Sequence, residues 1–349
     1  MAIKNRMSAV VLTGHGDFDK LEYRNNFLVP ELTPNDVLIR VGAAGVNNTD
    51  INTRIGWYSK GDNDSDDASW AGGALKFPHI QGADACGTIV AVGTNIDANR
   101  VGERVLVEPC FHEFDSKDLD SAYYYGSETY GAFAEYSRVP SRYAHKIDSP
   151  LSDVELASFP CSYSTSENML TRSGVKEGDC VLITGASGGV GSASIQLAKA
   201  RGAKVIAVTS PSKVDELVDL GADQTIHRDA DYVDVLGENS VDVVIDLVAG
   251  PKWPSLLDVL RHKGRYVVSG AIGGPMVELD VRTLYLKDLS FFGCTVIEQE
   301  VFGNLIKRIE QGQIKPLVAQ TFPLADIVKA QKSFQSKSHI GKIVLTVGE

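Results

Sequence analysis

The sequence has no apolar run near the roughly 18 residues that a membrane-spanning helix needs. Its first residues, MAIKNRMSAVV, lack the apolar core of a signal peptide. Cysteine is scarce and scattered: Cys86, Cys110, Cys161, Cys180 and Cys294 are five in number and none lies in a CxxC pair. That spacing suggests neither a disulfide framework nor a clustered cysteine metal site. Positive charge is also short, the net charge being −11, which argues against nucleic acid as a main partner. There is no internal repeat and no low-complexity tract. These absences together lead us to expect a cytoplasmic protein with a small-molecule partner, bound neither to a membrane nor to nucleic acid. What is present is ordinary for a globular protein, 43% hydrophobic and 23% charged residues over 349 positions, a length that accommodates about two domains.

The most informative stretch is Val181–Gly191, VLITGASGGVG. An apolar run, Cys180–Ile183, enters a glycine-rich turn, and a helical pattern, Ser192–Lys199, leaves it. Gly202-Ala203 closes that helix, and Lys204–Val208 reads as a second buried strand. Strand, turn, helix and strand in that order are the context of a dinucleotide fingerprint. Gly185 permits the tight turn, Gly188 and Gly189 allow close approach of a pyrophosphate, and Gly191 lets helix and strand pack together. Unpaired N–H groups at the helix start then face the phosphates. Ser187 and Val190 lie in the same turn.

Before this stretch the chain reads as short strands: Ser8–Leu12, Asp36–Val46, Gly87–Val92, Arg104–Val107 and Phe133–Val139. Their spacing predicts an antiparallel, partly barrel-shaped domain. Two long excursions interrupt it. Tyr58–Lys76 carries Asp62, Asp64, Asp66 and Asp67 around Trp70, and Cys110–Tyr130 is polar with a cluster at Tyr123–Tyr125. Both read as long loops, either binding loops or surface excursions. Residues 152–173 turn helical. Strands and helices then alternate through Leu289–Cys294, which predicts a doubly wound parallel sheet. A helix at Phe302–Gln311, a strand region at Pro316–Leu324, a helix at Ala325–Ser336 and a final strand at Gly341–Val347 follow. The last strand is expected to return to the first domain. The fold class is thus α/β, with residues 1–151 and 301–349 forming one domain and 152–300 the nucleotide-binding one.

Six stretches in order carry a family resemblance: GVNNTD (45–50), GADACGTIVAV (82–92), GERVLV (102–107), GAFAEY (131–136), the 185–191 turn and HIGKIVL (339–345). The chain resembles a medium-chain dehydrogenase/reductase, which implies a GroES-like substrate domain beside a Rossmann domain. In zinc-dependent members of that family, a cysteine, a histidine and a second cysteine hold the catalytic ion. The corresponding positions here are Asn47, Ala83 and Cys161. Alanine offers no ligand, and a catalytic zinc takes three, so no metal is expected. The lobe for a structural zinc corresponds to Cys110–Tyr130 and holds only Cys110. The sequence is therefore similar to the zinc-independent quinone oxidoreductase and enoyl reductase branch, with Asn47, Asp50, Arg54, Gly56 and Tyr58 matching its spacing. Asn52 stands where that branch often has tyrosine.

NAD-specific folds carry an acid at the end of the second strand. Here that strand runs into Ser210-Pro211-Ser212-Lys213 with no acid before Asp215. Ser210, Lys213 and, by resemblance, Arg228 suit a 2′-phosphate, so the cofactor is read as NADPH. The resemblance further implies that Thr165, Val248, Ser269, Ala271 and Lys342 contact the cofactor. Hydride delivered to the β-carbon of an enone requires a donor at the carbonyl oxygen. Tyr58 and Asn52 are the candidates, with Asn47 a third, while Asp50 is read as a loop anchor and Cys161 as a thiol near the site. The readings left open are a quinone or activated-alkene reductase, an alcohol dehydrogenase or carbonyl reductase, and a nucleotide-binding regulatory or RNA-binding protein. By analogy a homodimer forms through Leu289–Cys294.

Overall fold

The computed structural model describes residues 5–59, 69–70 and 74–348. The acid-rich part of the first excursion, with Asp62, Asp64, Asp66 and Asp67, lies outside them. The chain divides into two compact units, Met1–Cys161 with Pro316–Glu349, and Ser162–Lys315.

The first unit opens with β1 (Arg6–Leu12) and β2 (Leu21–Leu28), an antiparallel pair. β3 (Asp36–Val46) follows and leads directly into helix α1 (Asn48–Ile55). Next come β4 (Cys86–Val92), β5 (Arg104–Val107), β6 (Cys110–Phe114), β7 (Lys117–Tyr124), β8 (Tyr136–Pro140) and β9 (Ala144–Lys146). The short helix α2 (Asp153–Leu156) follows, and α3 (Pro160–Arg172) begins in this unit and continues in the second from Ser162.

The second unit alternates strand and helix: β10 (Cys180–Ile183), α4 (Gly189–Ala200), β11 (Lys204–Thr209), α5 (Val214–Asp219), β12 (Gln224–His227), α6 (Tyr232–Leu236), β13 (Val241–Asp246), α7 (Trp253–Val259), β14 (Leu260–Val268), α8 (Val281–Leu286), β15 (Ser290–Gly293) and α9 (Val301–Glu310). The six strands pair in parallel in the order β12-β11-β10-β13-β14-β15. The strand order reverses between β10 and β13, and in sheets of this kind ligands bind at the carboxyl ends beside such a reversal. Continuous apolar runs make these strands because both faces of a parallel sheet are covered. All six residues of β13 are buried, its two aspartates included.

The chain then returns to the first unit as β16 (Val318–Pro323), α10 (Ile327–Gln335) and β17 (Lys342–Thr346). β17 lies antiparallel on the far half of β3, pairing Ile343 with Val46, while β4 and β8 flank β3 elsewhere. The order is β16-β17-β3-β4-β5-β9. Val10, Leu12, Ile39, Val41, Phe133 and Leu345 belong to one buried apolar cluster, which binds the returning strand to the opening ones.

One expectation is overturned. Cys110–Phe114 and Lys117–Tyr124 are not part of a long loop; they form an antiparallel hairpin. Phe114 pairs with Lys117 across a two-residue turn in which Asp115 and Ser116 both take positive φ, 51° and 59°. That is the mirror-image turn favoured by hairpins. Its usual glycine is missing, so the turn carries no strong signal in the sequence. Phe111 and Tyr125 anchor the hairpin in the core, and Tyr125 donates to Ser137 at 2.7 Å. Among the described residues no helix is long and apolar enough to cross a membrane.

Candidate active site

β3 ends at Val46, and Asn47 follows in an extended conformation before α1 turns away. Asp50, one turn into the helix, accepts a hydrogen bond from the Asn47 backbone N–H at 2.7 Å. The helix stops at Gly56, whose φ of +72° terminates it in the left-handed region. Arg54 is wholly buried and donates to Gln331 Oε1 at 3.0 Å and to the Gly16 carbonyl at 2.7 Å. It fastens α1 to its surroundings, which leaves Asn47 at a fixed junction of strand and helix.

The Asn47 side chain enters a buried polar cluster. Its Nδ2 donates to Asp84 Oδ2 at 2.8 Å, and its Oδ1 accepts from the Lys342 ammonium. Lys342 also pairs with Asp84 Oδ2 at 2.6 Å. The other Asp84 oxygen accepts from the backbone N–H of Cys161 at 2.5 Å. Asp84 is 0% exposed, Lys342 2% and Asn47 6%. Buried charges persist only when paired and hydrogen-bonded, and Asp84 has three partners here. Burial pushes the Asp50 carboxyl up to about 7 against the pull of the Asn47 N–H; Asp84 adds to the push and Lys342 opposes it.

Tyr58 and Asn52 are placed differently. Burial raises the Tyr58 hydroxyl above its ordinary value, so it keeps its proton at neutral pH, and it donates that proton to Thr49 Oγ1 at 3.1 Å. Asn52 Oδ1 accepts from Asn48 at 3.2 Å on the exposed face of α1. Trp70 stacks between two aromatics, 4.4 Å from Tyr124 and 6.4 Å from Tyr58 between ring centres. Cys161, at the start of α3, is buried, and its backbone rather than its sulfur is what Asp84 engages. Among the described residues no three His, Cys, Asp or Glu side chains gather as a metal site.

In the second unit the turn after β10 is built for close approach. Gly185 has a φ of +57°, and a Cβ on Gly191 would lie 2.6 Å from the Ala186 Cα. A Cβ on Gly188, the N-cap of α4, would meet only the Gly185 carbonyl, at 3.4 Å. No side chain caps this helix, so its first amides remain for an anion. Lys213 reaches 3.5 Å from Ser187 Oγ, and Ser210 precedes it after β11. Burial lowers the Lys213 ammonium, Arg228 lowers it further, and Glu216 opposes both. Arg228 is near enough to act on Lys213 but is itself largely exposed and pairs with Asp229.

Val248, Ser269 and Ala271 follow the carboxyl ends of β13 and β14, all half-buried, and Thr165 lies half-buried on α3. The 247–250 loop is held by a residue that the sequence reading passed over. Asp246 accepts from Thr184 at 2.6 Å, Tyr266 at 2.7 Å, and the backbone N–H groups of Val248 and Ala249 at 2.9 and 3.1 Å. That hold keeps Ala249 at a φ of +55°. The available signal was an acid ending the run VDVVID, where apolar burial would otherwise forbid one. Asp84 was passed over too, although a carboxylate between two buried stretches carried the same signal.

Residues 33–149 match the alcohol dehydrogenase GroES-like domain, and residues 189–311 match the zinc-binding dehydrogenase domain. The chain belongs to the medium-chain dehydrogenase/reductase superfamily. Quinone oxidoreductase of Homo sapiens is 29% identical over 97% of each chain. Acryloyl-coenzyme A reductase of Metallosphaera sedula is also 29% identical, over 97% of this chain and 100% of its own. A crystal structure from Sinorhizobium meliloti 1021, named provisionally as an alcohol dehydrogenase, is 42% identical with a TM-score of 0.92, over 99% of this chain and 98% of that one. As a medium-chain dehydrogenase/reductase the protein is an oxidoreductase, and the superfamily works with nicotinamide cofactors.

Proposed function

We propose that the protein is a zinc-free, NADPH-dependent reductase of activated alkenes or quinones. The observation that carries this reading is the Asn47 cluster. The positions that would hold a catalytic metal carry an amide and an alanine, and the amide is engaged with Asp84 and Lys342. NADPH fits the second unit: the α4 amides suit the pyrophosphate, and Ser210, Lys213 and Arg228 suit a 2′-phosphate where an acid would repel it. When bound, the cofactor supplies a hydride. On an enone the alkene pair shifts to the carbonyl oxygen as the hydride reaches the β-carbon, and water then protonates the α-carbon, leaving a saturated carbonyl. The protein's part is to hold that oxygen with a preorganised donor. Tyr58 spends its proton on Thr49, and Asn52, whose Oδ1 accepts from Asn48, turns its side chain to the Tyr58 hydroxyl as well. Asn47 has a second Nδ2 hydrogen with no protein acceptor among the described residues, which favours it as the donor.

The similarity to relatives named quinone oxidoreductase and acryloyl-coenzyme A reductase supports the alkene or quinone reading. The S. meliloti relative's provisional name favours a second one, carbonyl reduction. Purified enzyme offered NADPH with a quinone, an enone and an enoyl thioester should oxidise the cofactor with at least one of them. Failure with all three would overturn the proposal, and stoichiometric zinc after dialysis would overturn its zinc-free part. We further infer a homodimer joined through the edge strand β15. Phe291 on that strand is exposed, and Tyr285 and Leu286 on α8 are 60% and 63% exposed. Phe291→Lys should then halve the mass seen by sedimentation.

A further inference from the structure

The Lys342–Asp84 ion pair has as yet no task in the reaction. Such a pair contributes little net stability once desolvation is counted, and an apolar pair of similar volume often does as well. What the two charges share is Asn47. The ammonium donates to its Oδ1 and the carboxylate accepts from its Nδ2. Rotating the amide by half a turn would set its NH₂ against the ammonium and its oxygen against the carboxylate. Both contacts would be repulsive, so the pair allows the amide one orientation. The backbone of Asn47 is held as well, by Asp50, and Asp84 is held in turn by the Cys161 N–H. The segments involved are the end of β3, residue 84, the start of α3 and β17, which are far apart in sequence and meet at this amide.

We propose that Lys342 and Asp84 are positioning residues, which hold the second Nδ2 hydrogen of Asn47 toward the oxygen that gains charge on the acceptor. The proposal rests on the reductase reading above. It also gives Lys342 a different role from the cofactor contact that family resemblance implies.

The test uses the full chain and three variants. Lys342→Met with Asp84→Asn removes both charges and strands neither. Lys342→Met alone removes only the ammonium, and Lys342→Arg keeps a cation. Three quantities are read: kcat and KM with an enone, NADPH affinity by fluorescence, and the side-chain amide signals of protein labelled with ¹⁵N-asparagine. The Asn47 signals are assigned by their loss in Asn47→Ala. The double variant should lose about 100-fold in kcat, the scale of one lost oxyanion donor, while NADPH affinity is essentially kept. Lys342→Arg should recover most of the loss. The Asn47 amide signals should move in the double variant and in Lys342→Met. A loss of NADPH affinity with kcat preserved at saturation would assign Lys342 to the cofactor and overturn the proposal, as would unmoved Asn47 signals. The amide signals need no turnover. An enzyme inert toward every acceptor would therefore overturn the reductase reading, while those signals would still decide whether the pair holds Asn47.

Discussion

The turn at Gly185–Gly191 is made of backbone, whereas the Asn47 cluster is made of three side chains and one backbone N–H brought together from four places in the chain. The turn needs space and unpaired amides, and glycine at the right spacing supplies both within seven residues. The cluster needs two opposite charges, an amide and a backbone N–H at hydrogen-bond distance, all out of water. No single stretch specifies it. A cofactor shared by many enzymes is met by the local device, and the chemistry that distinguishes one enzyme from another by the dispersed one.

The sharpest break in that comparison is Asn47→Ala. It should lower kcat/KM for an enone by about 10² to 10³, the cost of one preorganised oxyanion donor, with NADPH binding retained. A stopped assay with separate determination of cofactor affinity would show whether the two regions are independent in this way. Equal losses in both quantities would contradict it.

Next in size is Asp50→Asn, which tests the electrostatics of the cluster alone. The Asp50 carboxyl is raised to about 7 in the folded protein, so the folded state binds a proton more tightly than the unfolded chain does. Its stabilising contribution is complete below about pH 4, is lost as pH rises through 7, and is constant above. Asn keeps an acceptor for the Asn47 N–H without that dependence. The stability of Asp50→Asn relative to the parent should rise between pH 4 and 7 by about 2–4 kcal/mol and then level off. Urea unfolding at several pH values measures it; a flat difference would mean that Asp50 is not buried as described.

Gly191→Val probes the turn. Its Cβ would press on Ala186, and overpacking of this kind costs about 1–3 kcal/mol. Thermal unfolding should show that loss together with weakened NADPH binding, while the Asn47 amide signals stay in place. The smallest effect is expected from Lys213→Ala, which should narrow the preference for NADPH over NADH by about tenfold, one charge-assisted bond at a half-buried site. Titration with both cofactors reads it, and an unchanged ratio would remove Lys213 from the 2′-phosphate site.

Legibility in the sequence follows the same division. The strand Cys180–Ile183 and the strand–turn–helix order after it were visible because each element is marked by residues close to one another in the chain. Asp36–Val46 and Arg104–Val107 were visible for the same reason, being apolar runs between turn residues. The hairpin of β6 and β7 was not, because its turn uses Asp115 and Ser116 in place of glycine. β2 escaped too: only Leu21 of its eight residues is buried, so it carries little apolar pattern. At the site, Asn47, Asp50 and Cys161 were singled out by the family resemblance, but the partner that joins Asn47 to Cys161 was not. Asp84 has a meaning only once β17 has returned and set Lys342 against it, and pairing across more than 250 residues leaves no local trace.

The central claim is that the hydride goes to carbon–carbon unsaturation at a site without metal. NADPH carrying deuterium at nicotinamide C4, prepared in both faces and used with an α,β-unsaturated ketone, tests it most directly. The account predicts deuterium on the β-carbon of a saturated ketone. Deuterium on the carbinol carbon of an allylic alcohol would contradict it, and would make the protein a carbonyl reductase.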